Sequence, residues 1–147
     1  MLAFLALPGL IAFVVPLLLT WPGVRERSFH VIGLLPFLSG VVLLIWCVRD
    51  FYVAGKGTLA PWDPPRRLVV VGLYRISRNP MYVAVSLVLI GWAVGFGSRE
   101  LWVYAAIMPF VFHARVVFGE EPWLAKTHGD EWERYKARVP RWLLGRR

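Results

Sequence analysis

Four continuous apolar stretches, Leu2–Thr20, Val31–Val48, Met81–Gly97 and Leu101–Phe118, divide a chain whose charged residues gather mainly in two blocks, 49–78 and 120–147. Each stretch is long enough, or nearly so, to carry a helix across the ~30 Å hydrocarbon core of a bilayer. Lipid offers no water to backbone N–H and C=O groups, so a spanning segment must be a helix or part of a closed barrel, and unbroken rather than alternating apolar runs select the helix. A hydrophobic content of 58% in 147 residues is also more than a soluble globule of this size buries. The expected fold is therefore an all-α membrane protein with about four transmembrane helices.

The first stretch has no Lys or Arg before its apolar run and no small-residue cleavage pattern after it, so it is expected to be a retained helix rather than a secretory signal. Pro8, Gly9 and Pro16 within it are tolerable where neighbouring helices satisfy the freed carbonyls. Orientation follows the basic residues. The connection after the second stretch holds Arg49, Lys56, Arg66, Arg67, Arg75 and Arg78, and the tail holds Lys126, Arg134, Lys136, Arg138, Arg141, Arg146 and Arg147, against Arg25, Arg27 and Arg99 on the opposite side. Four crossings with both termini in the cytoplasm put the long connection and the tail on one inner face, and a prokaryotic inner membrane is the expected location. The net charge of +8 is assigned to topology and anionic lipid headgroups rather than nucleic acid. A single cysteine, Cys47, excludes an internal disulfide and a multi-cysteine metal site.

Two segments carry chemistry-bearing side chains. In "GLYRISRNPMY", residues 72–82, Pro80 suits the first turn of a helix and Asn79 suits its cap, so the segment is expected at a helix N-terminus on the cytoplasmic face. Free N–H groups there can hold a carboxylate or phosphate, or Asn79-Pro80 simply starts a helix. "RRLVVVGLYR" is expected to be an extended lead into that helix, and "GKGTLAPWDPP" before it an irregular, ordered excursion. In "FHARVVFGEEPWL", His113 and Glu120 are seven apart and share a helical face if the helix continues through Gly119, with Val117 and Glu121 adjoining and Arg115 pointing well away from His113. The acidic pair has two readings: it grips an amine or ribose hydroxyls, or it caps the tail helix. That tail, with Trp132, Tyr135 and Val139 at helical spacing, is expected to be an amphipathic helix after a break at Gly129, ended by Pro140, lying on the membrane or folded back over the bundle. The sequence has no P-loop, no dinucleotide fingerprint, no nucleophile elbow and no defensible metal-ligand spacing.

Together these segments resemble the integral-membrane methyltransferases of the isoprenylcysteine carboxyl methyltransferase and phospholipid methyltransferase group. "GLYRISRNPMY" is similar to that family's Gly-x-Tyr-x-x-x-Arg-His/Asn-Pro-x-Tyr, and "EEPWLAKTHGDEWERYKARVPRW" to its Glu-Glu-x-x-Leu…Gly-x-x-Tyr-x-x-Tyr ending. Asn79 stands where many members carry His, and Trp132 where Tyr is frequent. The resemblance covers roughly residues 55–143 and implies a helical membrane fold without a Rossmann domain, with S-adenosylmethionine bound within 49–147; the chain length allows one domain over 1–147, with 1–48 as two leading helices that carry no motif. It places Gly72, Tyr74, Arg78, Asn79, Pro80, Tyr82, Glu120 and Glu121 at the cofactor, and His113, expected on the helical face of Glu120, is counted with them. Methyl transfer from a sulfonium is an in-line displacement, so the protein chiefly positions donor and acceptor and excludes water. Arg115 or Arg141 would orient a carboxylate acceptor, whereas Glu121, Glu120 or His113 would deprotonate an amine.

The expected activity is methylation of a lipophilic acceptor in the membrane, most like isoprenylcysteine carboxyl O-methylation. Phospholipid amine N-methylation is the nearest alternative, for which "NPMY", Gly91-Trp92 and "EEP" also match. A nicotinamide-dependent membrane reductase and a non-catalytic lipid-binding membrane protein are the rivals of other kinds.

Overall fold

The computed structural model describes residues 7–21, 29–55 and 67–143, and every regular element among them is helical. Five helices follow in order: α1 (Leu7–Thr20), α2 (Val31–Gly55), α3 (Pro80–Phe96), α4 (Arg99–His128) and α5 (Asp130–Arg138). Two of them, α2 and α4, are long and apolar enough to cross a membrane, while α1 and α3 are shorter apolar helices. The excursion expected over "GKGTLAPWDPP" falls almost wholly outside the described residues. Residues 68–70 form the expected extended lead, which ends in a 3-10 turn, Gly72–Arg75.

Helices α2 and α3 pack with their backbones nearly touching. A Cβ on Gly40 would lie 2.8 Å from the Ala84 carbonyl oxygen, one on Gly91 2.6 Å from the backbone of Phe37, and one on Gly33 2.5 Å from the Gly95 nitrogen. Small residues at facing positions are how helices gain van der Waals contact in lipid, where hydrophobic burial gives no drive to associate. The opposite side of α2 leaves Leu35, Leu38, Val42 and Ile45 exposed at helical spacing. Such a stripe needs an apolar solvent, and with the length of α2 and α4 it marks an integral membrane protein.

Prolines shape α1 and α4 in the same way. Each contains a π-turn, Leu10–Val14 in α1 and Val116–Glu120 in α4, and each turn ends two residues before a proline, Pro16 and Pro122. A proline has no N–H to donate and its ring collides with the carbonyl four residues back, so widening the preceding turn relieves the clash. The carbonyls freed in α1 are served by neighbours, as its composition demands. Ala12 O accepts from Trp92 Nε1 at 3.0 Å and Ile11 O from the Tyr104 hydroxyl at 3.2 Å.

Several boundaries differ from expectation. Helix α2 runs past Val48 to Gly55, and α4 runs past Phe118 through Gly119 to His128. The π-turn adds a residue to one turn of α4, so His113 and Glu120 do not share a face even though the helix is continuous. Helix α5 is the expected amphipathic tail, opened after Gly129 at φ 47°. It folds back rather than lying apart: Trp132, Tyr135 and Val139 are buried against Leu68, Leu124 and Ala125.

Candidate functional site

A cavity of about 230 Å³ opens at one end of the bundle, where the extended lead, the N-terminus of α3, the last turns of α4 and the buried face of α5 converge. Its walls are of two kinds. Ile11, Val85 and Phe112 form an apolar wall between α1, α3 and α4, whereas Arg78, Asn79, Tyr82, Arg115 and Glu120 bring polar groups to the same space. Arg67, from the lead, and the rings of Tyr74, Trp132 and Tyr135 complete it.

Glu120 is positioned by the π-turn. Arg115 and Glu120 are five apart, which an α-helix would splay but a turn with five-residue hydrogen bonding brings together. Arg115 Nε donates to Glu120 Oε1 at 2.8 Å, and the Tyr82 hydroxyl donates to the same oxygen. The Tyr82 ring is itself held by stacking on Phe112, with centroids 4.6 Å apart. Glu120 Oε2 has no protein partner among the described residues. The cluster thus leaves one carboxylate oxygen uncommitted on a residue that lines the cavity together with Arg78 and Asn79.

The adjacent acid faces elsewhere. Glu121 accepts from Arg141 Nε and Nη2, both at 2.8 Å, and lies 2.9 Å from Arg78 Nη1. The Arg78 guanidinium also sits over the Trp132 ring, 5.4 Å from its centroid. Burial pushes Arg78 below the ordinary guanidinium range, with Glu121 opposing the shift, while the hydrogen bonds to Glu121 push Arg141 up. Burial likewise raises the Tyr135 hydroxyl. That hydroxyl donates to the Tyr74 carbonyl at 2.7 Å, tying α5 to the 3-10 turn.

The segment after α5 is clamped to the turn before α3. The Arg78 N–H donates to Pro140 O at 2.9 Å, and Ser77 Oγ and Asn79 Nδ2 both donate to Arg141 O, at 3.2 and 3.1 Å. Pro80 opens α3 as expected, but Asn79 does not cap it with its side chain. The amide is turned toward Arg141 because that carbonyl, beyond the last turn of α5, has no helical donor.

The expected site residues therefore divide. Tyr74, Arg78, Asn79, Tyr82, Arg115 and Glu120 line the cavity together. Gly72, Pro80, His113, Glu121 and Arg141 do not. His113 is exposed, its Nδ1 accepting from Trp142 Nε1 at 3.3 Å, with the two rings stacked. The sequence reading missed Asp50, which is buried at the end of α2 behind Tyr74. Its signal was available: an acid in the last turns of an apolar helix is costly and calls for a reason.

A model of the phospholipid methyltransferase family matches residues 28–131, most of the chain, and takes in the extended lead, α3 and α4 of the cavity wall but neither α1 nor most of α5. An uncharacterized protein of Haemophilus influenzae (strain ATCC 51907 / DSM 11121 / KW20 / Rd) is 35% identical over 63 residues, which make up 43% of this chain and 100% of that protein. No solved structure matches the chain. With the family model spanning α2 through the start of α5, the chain belongs to the phospholipid methyltransferase family, which is related to the isoprenylcysteine carboxyl methyltransferases.

Proposed function

We propose that the chain is an S-adenosylmethionine-dependent methyltransferase acting on a lipophilic acceptor that reaches the cavity from the membrane. The observation that carries this reading is the double character of one cavity, whose lining joins the polar groups of Arg78, Tyr82, Arg115 and Glu120 to the apolar side chains of Ile11, Val85 and Phe112. The cavity's residues fit a zwitterionic, aromatic cofactor. Arg78 Nε is buried without a hydrogen-bond partner, Glu120 keeps one oxygen free, and aromatic rings stand beside both. Arg78 and the N–H groups at the start of α3 would hold a carboxylate, Glu120 an ammonium or ribose hydroxyl, and Tyr74 or Trp132 a base. Bound there, the cofactor supplies an activated methyl group on a sulfonium. The protein's own contribution is orientation and dryness: the clamp from Pro140 and Arg141 holds α5 over the cavity and its buried Trp132 excludes water.

In the membrane, α1 to α4 would cross four times, with the cavity, α5 and both termini on the cytoplasmic side, as the basic residues around the cavity favour. For the acceptor, Arg67 and Arg115 favour an anionic headgroup, and a carboxylate is the first reading. A phospholipid amine is the second, favoured by the family model.

The test is incubation of purified protein in nanodiscs with methyl-labelled S-adenosylmethionine and a lipid extract from its source. Label in the lipid fraction is expected. Release of that label as methanol by mild base identifies an ester and hence a carboxylate acceptor, while base-stable label identifies an amine. No labelled lipid, with no binding of S-adenosylhomocysteine by calorimetry, would sink the methyltransferase reading, and binding of nicotinamide nucleotides instead would favour a reductase.

A further inference from the structure

Among the described residues, Asp50 is the one buried acid that the cavity chemistry leaves unused. Its side chain is 9% exposed, and its Oδ1 makes a long contact, 3.4 Å, with the exposed Arg49. Its Oδ2 is fully buried and has no hydrogen-bond partner among the described residues. Removing a carboxylate from water costs free energy unless charges or hydrogen bonds compensate, so a buried and poorly paired one calls for a structural reason. What Oδ2 faces is the backbone of Gly72: a Cβ placed there would overlap Oδ2 and approach Trp46 Nε1 to 3.3 Å. Gly72 also has φ 53°, a conformation that side chains disfavour, and it begins the 3-10 turn that carries Tyr74.

Tyr74 is gripped from both sides. Its ring packs on Phe51, the residue after Asp50, at 6.2 Å, and its carbonyl takes the Tyr135 hydroxyl. The turn is thus wedged between α2 and α5, with the Asp50 carboxylate against its first residue. Gly72 itself does not line the cavity, whereas Tyr74 does.

We propose that Asp50 and Gly72 are a matched pair that seats the Gly72–Arg75 turn on α2 and thereby sets Tyr74 in the cavity wall. Asp50 is a positioning residue acting through Tyr74, and Gly72 is glycine because a carboxylate abuts it, not because a ligand approaches it. The binding consequence rests on the cofactor reading above; the pairing itself does not.

The experiment is a double-mutant cycle in detergent, reading both the thermal unfolding midpoint and the affinity for S-adenosylhomocysteine by calorimetry. Gly72→Ala alone is expected to lower the midpoint and weaken binding about tenfold, as contacting residues couple on that scale. Adding Asp50→Ala, or Asp50→Ser if that variant folds poorly, makes room for the new methyl and recovers most of both losses. A remainder stays, because alanine is still disfavoured at that φ. Adding Asp50→Asn, which has the same size, recovers neither. Losses that simply add, or recovery with Asn as complete as with Ala, overturn the pairing. If the intact protein binds no S-adenosylhomocysteine, the cofactor reading fails while the midpoints still decide the pair. Recovery of the midpoint without recovery of affinity removes Asp50 from the site and overturns its positioning role.

Discussion

Arg141 meets Glu121 in a two-bonded fork, Nε and Nη2 each 2.8 Å from a carboxylate oxygen, across 20 residues of sequence. Arg78 closes the arrangement at 2.9 Å from the other side. One acid so placed between two cations holds three segments together: the end of α4, the turn before α3 and the chain beyond α5.

Glu121→Gln is therefore expected to destabilise more than Arg141→Ala. The Arg78 side chain is only 9% exposed, so loss of its counter-ion leaves a buried charge, at a cost of about 3 kcal/mol. Arg141 is 33% exposed and water can replace part of its partner, which limits the cost to about 1 kcal/mol. Urea unfolding in detergent checks the order. Equal losses would show that Arg78 does not depend on Glu121.

Trp92→Phe is expected to destabilise without touching the site. The indole N–H satisfies Ala12 O, a carbonyl that Pro16 leaves without its helical donor, and phenylalanine cannot. Leaving that carbonyl unpaired in the bundle costs about 1–3 kcal/mol. Cofactor affinity should stay within about twofold, since neither Trp92 nor Ala12 lines the cavity. Thermal unfolding and calorimetry on the same preparation separate the two effects.

The placement of helices was legible because its causes are local. Apolar length located α1 to α4, Pro80 opened α3, and Gly129 separated α4 from α5. That the two motifs would meet at one end followed from counting crossings. What could not be read was register and pairing. Nothing in "FHARVVFGEEPWL" announces that Pro122 will widen the turn before it and swing Glu120 to Arg115 instead of to the face of His113. Asn79 looked like a cap because the caps of other helices are made of such residues, but the carbonyl it serves belongs to Arg141, 62 residues on. Asp50 was hidden among the charges of a connection when it belongs to the last turns of α2.

Pro122→Ala tests the origin of that register. With an N–H restored and the ring gone, α4 is free to relax to an unbroken α-helix, which carries Glu120 away from Arg115 and Tyr82. Donor affinity should fall about tenfold while global stability holds or rises, because alanine is the better helix former. Hydrogen exchange should show a protected amide at residue 122, next to the Glu121 N–H that already donates to Val116 O. Unchanged affinity with unchanged exchange would mean that packing, and not the proline, maintains the π-turn.

Glu120 itself is the sharpest probe of the site. Its Oε1 is committed to Arg115 and Tyr82, and only Oε2 remains for a ligand. Glu120→Gln keeps the shape but offers a neutral group, so a ligand cation or hydroxyl loses a charge-assisted hydrogen bond, a drop of about 10- to 100-fold in affinity. Tyr82→Phe leaves the carboxylate and its arginine in place and should weaken binding only about threefold, a neutral donor's share. Calorimetric titration with S-adenosylhomocysteine ranks the two variants. Should Tyr82→Phe prove the more damaging, the phenol rather than the carboxylate is the group that meets the ligand, and Glu120 serves to orient it.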